Sequence, residues 1–187
     1  MLSDDNKRLL LRLARRSIAA HLQGEPLNIA RPSDPTLLAQ NGAFVTLHRR
    51  GSLRGCIGHI VGQKPLFDTI HEMALAAALQ DPRFTKVRLT ELDDIDIEIS
   101  ILSPLERVTI IEDIAVGRHG LLIQKGYASG LLLPQVATEW KWDRLTFVQQ
   151  TCNKAGLDAH AWMHPSAKIF RFEAEVFGEK TLGVQGD

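Results

Sequence analysis

Apolar and polar residues alternate most clearly between Ile95 and Ile101, where isoleucine occupies every second position. A period of two is typical of a strand with one buried face. Asp96 and Glu98 fall on the polar face, so we expect them to face solvent rather than to act as an acid/base pair. Similar apolar runs bounded by turn residues predict further strands at Ala43–Arg49, Ser52–Ile60, Leu121–Gln124, Gly130–Leu133 and Lys168–Phe177.

Arg50 and Gly51 predict a tight turn between the first two of these strands. A two-residue turn would place Val45 opposite Cys56 and Leu47 opposite Arg54. Apolar residues occur on both faces of this hairpin, which predicts an interior position in the fold.

Apolar residues with helical spacing predict three longer helices. The first follows the N-cap Ser3 and ends at Gly24, the second runs from Pro65 to about Gln80, and the third follows Asp143 and ends near Ala155. A hairpin followed by a helix therefore occurs twice, which hints at an internal duplication. This order of elements predicts an α+β fold with mostly antiparallel sheets and flanking helices, followed by a loose tail from about Gly178.

Charge and composition narrow the functional classes. Lys and Arg number 22, as do Asp and Glu, so the formal net charge is zero. That balance argues against a general nucleic-acid or anionic-membrane binder. The chain has two cysteines and no apolar stretch near the ~20 residues that span a bilayer, so we expect a cytoplasmic protein with reduced thiols.

The segment Leu53–His59 is the strongest chemical candidate, since it places Cys56 between Gly55 and Gly58, two residues after Arg54. In a regular strand Arg54, Cys56 and Gly58 share one face. A nearby guanidinium favours the nucleophilic thiolate, and the glycines leave backbone N–H groups open to a substrate oxyanion. The alternative is a buried packing cysteine, because free Cys is among the most buried residue types.

Two residues outside this segment could complete a site. His119, flanked by Gly117 and Gly120, is the candidate proton carrier. Arg83, in the loop Asp81–Phe84, suits carboxylate recognition, and a structural ion pair is the equal alternative. Cys56 and His59 have ligand-like spacing, but the chain holds no complete zinc pattern, and we expect neither a metal nor a cofactor.

With these residues laid out, the sequence resembles the AMMECR domain family, also called AmmeMemoRadiSam system protein A. The matching blocks keep the family's order over nearly the whole chain, and Leu-Arg-Gly-Cys-Ile-Gly is the most specific of them. They are 44–47, 53–58, 81–84, 98–102, 119–121, 132–137 and 154–157.

The resemblance implies a single AMMECR-type domain over residues 1–187, with two unequal subdomains and a cleft between them. The resemblance implies no established reaction for this protein. The family name implies association with a Memo-like protein and a radical-SAM enzyme. An iron–sulfur cluster and S-adenosylmethionine would belong to that partner, because this chain lacks a three-cysteine cluster motif.

The first functional hypothesis is an enzyme or enzyme component, a cysteine-dependent transferase or hydrolase, with Cys56 as nucleophile in the cleft. The remaining candidates would bind substrate or move protons: Arg54, Gly55, Gly58, Arg83, Gln135, Lys154 and His119. The second hypothesis is a non-catalytic scaffold for a partner protein, and the third is an RNA-modification-associated binder. The choice between monomer and homodimer stays open.

Overall fold

The computed structural model describes residues 2–184, which divide into two compact units. The first unit contains the chain up to Leu102 and the segment from Glu175 onward. The second unit is Ser103–Ala174. Helices and antiparallel strands occur in both, which confirms the predicted α+β class.

The first unit begins with helices and a hairpin, and its elements match the predicted ones within a residue or two. Ser3 caps the first helix by accepting a hydrogen bond from the N–H of Asn6, and Gly24 ends it in the left-handed conformation. In chain order the elements are α1 (Asp4–Gln23), α2 (Pro35–Leu38), β1 (Ala43–Arg49), β2 (Ser52–His59), α3 (Leu66–Leu79), a 3₁₀ turn (Leu89–Asp94) and β3 (Ile95–Leu102).

Helices α1 and α3 pack on one face of the antiparallel sheet β2-β1-β3. Val45, Leu47, Ile97 and Ile99 point to this face and are fully buried against the two helices. Burial of such side chains is worth roughly 1.5–3 kcal/mol each, so this layer is the main core of the unit. The opposite face of the sheet carries the alternate residues of each strand.

The elements of the second unit are β4 (Glu106–Val108), a 3₁₀ turn (Ile111–Asp113), β5 (His119–Lys125), β6 (Ala128–Leu132), α4 (Pro134–Glu139), α5 (Arg144–Lys154), a 3₁₀ turn (Ala161–Met163) and β7 (Lys168–Gly178), which ends in the first unit. The four strands form an antiparallel sheet in the order β4-β7-β5-β6. Helix α5 packs against β5 and β6, and its residues Phe147 and Cys152 are fully buried.

The predicted loose tail from Gly178 is wrong for the residues up to Val184. A short helix, α6 (Glu179–Leu182), follows β7 directly. The buried Glu179 carboxylate binds the guanidinium of Arg15 at 2.5 and 2.6 Å and accepts a hydrogen bond from the N–H of Ile97 at 2.8 Å. This buried ion pair fixes the segment against α1 and β3; the last three residues of the chain lie outside the described part.

A β-bulge changes the register predicted for the first hairpin. Cys56 pairs with Thr46 rather than Val45, and Leu47 pairs with Gly55 rather than Arg54. The register shifts between Leu47 and His48, so that Arg54 is the extra residue of β2. A bulge reverses the face of every residue beyond it, which explains why a regular hairpin predicts the wrong partners.

Glycines in the second strand of each hairpin allow the following helix to approach closely. A Cβ on Gly55 would lie less than 3.0 Å from the carbonyl oxygen of Ala77 in α3, and one on Gly130 would lie equally close to the backbone of Ala155. The two hairpins therefore share this packing feature, and the internal duplication stays a prediction. No helix within residues 2–184 has the length and apolarity needed to cross a bilayer.

Substitution Gly55→Ala should destabilise the protein by about 3 kcal/mol, because its methyl group meets backbone atoms that cannot rotate away. Urea unfolding of the two proteins measures the difference. Gly178→Ala is the matched control, since its added Cβ meets its nearest neighbour only at 3.4 Å. Equal stabilities for Gly55→Ala and the wild type would contradict the packing account.

Candidate functional site

Cys56 lies on the face of the first sheet opposite α1 and α3. Its neighbours Gly55 and Ile57 pack toward the helix layer, so strand alternation directs the Cys56 side chain the other way. The thiol is partly exposed, and Cys56 is not a core residue. The structure therefore favours an accessible thiol over the packing cysteine that was the alternative.

Thr46 on β1 contacts the thiol directly. Thr46 and Cys56 are cross-strand partners, and the Thr46 hydroxyl donates a hydrogen bond to the Cys56 Sγ at 3.2 Å. This contact fixes the orientation of the Cys56 side chain. Sequence analysis missed Thr46 because the predicted register placed Val45 at this position.

Asp81 fixes the backbone of Cys56 from the open edge of β2. Its buried carboxylate accepts a hydrogen bond from the Cys56 N–H at 2.9 Å. Arg83 donates to the same carboxylate from Nε and a terminal nitrogen, at 2.9 and 2.7 Å, and also to the Cys56 carbonyl oxygen at 3.3 Å. The N–H and the carbonyl oxygen of Cys56 both point away from β1, and the Asp81–Arg83 pair gives each of them a hydrogen-bond partner.

The same pair sets the electrostatics beside the thiol. Hydrogen bonds from Arg83 hold the pKa of Asp81 well below its usual range, against the opposing effect of burial. Asp81 in turn raises the pKa of Arg83, and the nearby Cys56 adds a smaller electrostatic contribution in the same direction. The Arg83 side chain remains about half exposed, at 55%, and stacks on Phe84, so part of its cationic surface faces solvent.

Arg54 has a different environment from the predicted one. Its guanidinium binds both carboxylate oxygens of Glu91, at 3.3 and 3.1 Å, and donates to the carbonyl oxygen of Thr85 at 2.8 Å. These hydrogen bonds lower the pKa of Glu91. Because the side chain is only 12% exposed and already paired, a substrate anion would have to displace Glu91 to reach it.

The two glycines beside Cys56 have packing roles. Gly55 admits the Ala77 carbonyl, as described above, and the ring of Phe44 covers Gly58 on the Cys56 face. An aromatic ring over a strand glycine fills the space that a side chain would occupy. Their predicted contribution to substrate binding stays a prediction.

Glu98 and His48 share the face of Cys56. Glu98 pairs with Thr46 across β1 and β3, so Cys56, Thr46 and Glu98 form one row over three adjacent strands. His48 lies two residues along β1 from Thr46 and pairs with Asp96. The sequence analysis assigned Glu98 only to a solvent face; the strand pairing is the signal that links it to the thiol.

His119 is held in the second unit, whereas Cys56 is in the first, so their pairing stays a prediction. The His119 side chain is buried, and its Nδ1 accepts a hydrogen bond from the Ala115 N–H at 3.0 Å. Burial lowers the pKa of His119, and the charges of Arg171 and Arg118 lower it further. This ring is therefore neutral near pH 7 and closes the turn that precedes β5.

The other candidates of the second unit are Gln135, half-buried in the first turn of α4, and Lys154, exposed in the last turn of α5. Their place in a substrate site stays a prediction. Cys152 is fully buried in α5, and burial raises the pKa of its thiol. Within residues 2–184, no group of three or more His, Cys, Asp and Glu side chains could hold a metal ion.

Comparison with known proteins identifies the family that shares this fold and the segment around Cys56. The AMMECR1 family model matches residues 11–177. A protein of Methanothermobacter thermautotrophicus is 46% identical over 186 residues, covering 95% of this chain and 96% of that one. Protein TK0174 of Thermococcus kodakarensis is 44% identical, over 96% and 93% of the two chains.

The crystal structure of the uncharacterised protein PH0010 from Pyrococcus horikoshii has the same fold. It superposes with a TM-score of 0.88 at 39% sequence identity, and the match covers 96% of this chain and 94% of that one. The chain therefore belongs to the AMMECR1 family, as the resemblance of its sequence blocks predicts.

Substitution Asp81→Asn should destabilise the protein by about 2 kcal/mol at pH 7, because an amide still accepts from Cys56 but no longer pairs with the Arg83 charge. The folded-state pKa of Asp81 is lowered, so its charge stabilises the fold above about pH 4 and that stability is lost as the pH falls further. Urea unfolding at several pH values should show the difference between the two proteins shrinking below about pH 4. A difference that is constant with pH would contradict the ion-pair account.

Acidification should destabilise the protein partly through His119. Its folded-state pKa is lowered, so below about pH 6.5 the unfolded chain binds the proton more readily, and stability falls as the pH falls. His119→Asn keeps an acceptor for Ala115 and removes the titration. Between pH 7 and 5 the variant should lose less stability than the wild type in urea unfolding; equal losses would show that burial of His119 is not linked to protonation.

Proposed function

We propose that the protein is an enzyme or enzyme component that uses Cys56 as a nucleophile. The observation that carries this proposal is the hydrogen bond from the Thr46 hydroxyl to the partly exposed Cys56 Sγ. The adjacent Arg83 supplies positive charge, and the Asp81 carboxylate anchors the backbone of the nucleophile. A cytoplasmic location, where thiols stay reduced, fits this chemistry.

The row Cys56–Thr46–Glu98 gives the proposed site its dimensions. Adjacent strands lie about 4.8 Å apart, so a thiolate and a carboxylate separated by one strand flank a space of roughly 10 Å. A small electrophile lying over Thr46 would contact both groups. In this proposal Glu98 activates a second nucleophile after Cys56 has reacted.

The proposed reaction has two steps. The Cys56 thiolate forms a bond to an electrophilic carbon, and the leaving group departs with its electron pair. Water or an acceptor then attacks the same carbon while Glu98 takes its proton, and the thiolate is released. Water as the second nucleophile makes the protein a hydrolase, and another acceptor makes it a transferase.

The family name suggests partners for this activity. On that ground we propose that the protein acts together with a Memo-like protein and a radical-SAM enzyme. The chemistry at Cys56 would then act on a product or a precursor of that system. His119, Gln135 and Lys154 remain candidate contributors from the second unit.

A non-catalytic scaffold is the second candidate function. The observation that favours it is the internal pairing of both arginines of the block, Arg54 with Glu91 and Arg83 with Asp81. Both pairs hold β2 against the segment that follows α3. This structural role explains them without a substrate. Thiol reactivity separates the two candidates, because a scaffold does not need an activated thiol.

Cys56 should be alkylated by iodoacetamide at pH 7 at least tenfold faster than Cys152 in the folded protein, because it is partly exposed and bonded to Thr46. Peptide mass spectrometry after timed quenching gives both rates, and Cys152 is the internal control. Thr46→Val removes the hydroxyl at nearly constant volume and should slow Cys56 labelling several-fold. Equal labelling rates for the two cysteines would support the scaffold instead.

A further inference from the structure

The second unit contains a cavity of about 400 Å³. It lies among β4, the loop that holds the 3₁₀ turn Ala161–Met163, and the start of β7. Its floor is formed by the buried residues Val108, Ala167 and Ile169. The volume is typical of sites for small organic ligands, and both polar and apolar side chains line the cavity.

Arg107 brings a positive charge to this cavity. Its guanidinium stacks 5.5 Å from the centroid of the Phe170 ring and donates a hydrogen bond to the Ala167 carbonyl oxygen at 3.1 Å. These contacts fix its position without neutralising it, since within residues 2–184 no carboxylate lies in ion-pair distance of Arg107. The neighbouring carboxylate of Glu106 is bound by Arg171 instead, at 2.9 Å.

His164 also lines this cavity. The Ser166 N–H donates to its Nδ1 at 3.2 Å, so Nδ1 is an acceptor and the ring proton resides on Nε2. The Ser166 hydroxyl also lies 2.8 Å from Nδ1 and helps to fix the ring. Nε2 is therefore the nitrogen left to donate to a ligand.

The apolar walls include two adaptable residues. Met163 is 59% exposed although its side chain is apolar, and a flexible thioether adjusts to the shape of a bound group. The indole N–H of Trp162 is buried and has no acceptor among residues 2–184. Because this N–H is buried, Trp162 contributes ring surface to the cavity wall rather than a donor.

We propose that this cavity binds a small organic carboxylate with a flat apolar body. The carboxylate would bind Arg107 and the Nε2 proton of His164, and the apolar body would lie against Trp162 and Met163. The unpaired arginine at this cavity distinguishes this ligand class from neutral apolar compounds. The proposal does not depend on the chemistry at Cys56.

Phenylacetate and its neutral counterpart 2-phenylethanol provide the test, with the full-length protein and isothermal titration calorimetry. Phenylacetate should bind at least tenfold more tightly than 2-phenylethanol. Arg107→Gln should weaken phenylacetate binding about tenfold and leave 2-phenylethanol unchanged. Arg16→Gln, an exposed arginine on α1, is the matched control and should bind like the wild type.

Two further measurements keep the result interpretable. Near-ultraviolet circular dichroism and urea unfolding establish that Arg107→Gln retains the native fold. Trp162→Phe keeps an aromatic wall and should leave the preference for phenylacetate over 2-phenylethanol in place. Equal affinity for the two ligands, no measurable binding of phenylacetate, or unchanged binding by a folded Arg107→Gln would each overturn the proposal.

Discussion

The buried carboxylate of Asp81 is the constraint on which the geometry around Cys56 depends. Polar backbone groups at the edge of a sheet need partners, and β2 is an edge strand of its sheet. Asp81 supplies an acceptor and Arg83 a donor at the position where a further strand would have paired with Cys56. The pair protects the edge and, at the same time, fixes the strand that carries the thiol.

A buried charge is tolerated only where it is paired and hydrogen-bonded, and Asp81 accepts bonds from two backbone N–H groups and one guanidinium. The order Asp-Pro-Arg-Phe serves this arrangement. Pro82 ends the helical path after α3, and Arg83 folds back onto the carboxylate two residues before it. Helix α3, its C-terminal loop and β2 thereby become one rigid support for Cys56.

Local signals in the sequence were sufficient for most of the fold. Ser3, Gly24 and Asp143 mark helix ends by capping chemistry that acts within a few residues, and the structure confirms each of them. The register of the first hairpin could not be predicted in this way, because the bulge at Arg54 depends on partners far along the chain, including Glu91. The structure of the final segment likewise depends on a distant residue, because Arg15 lies 164 residues from its partner Glu179.

The candidate site also combines residues that local signals reveal with residues that only long-range strand pairing brings in. Cys56 could be chosen from its own neighbours, since glycine, cysteine and arginine together already indicate unusual packing or chemistry. Thr46 and Glu98 could not, because they join Cys56 only through the pairing of three strands, and a shift of one residue exchanges their faces. Gly55 lets α3 approach β2 from one side, and strand alternation turns Cys56 to the opposite face of the sheet. The close packing of the helix and the orientation of the thiol are therefore both set by β2.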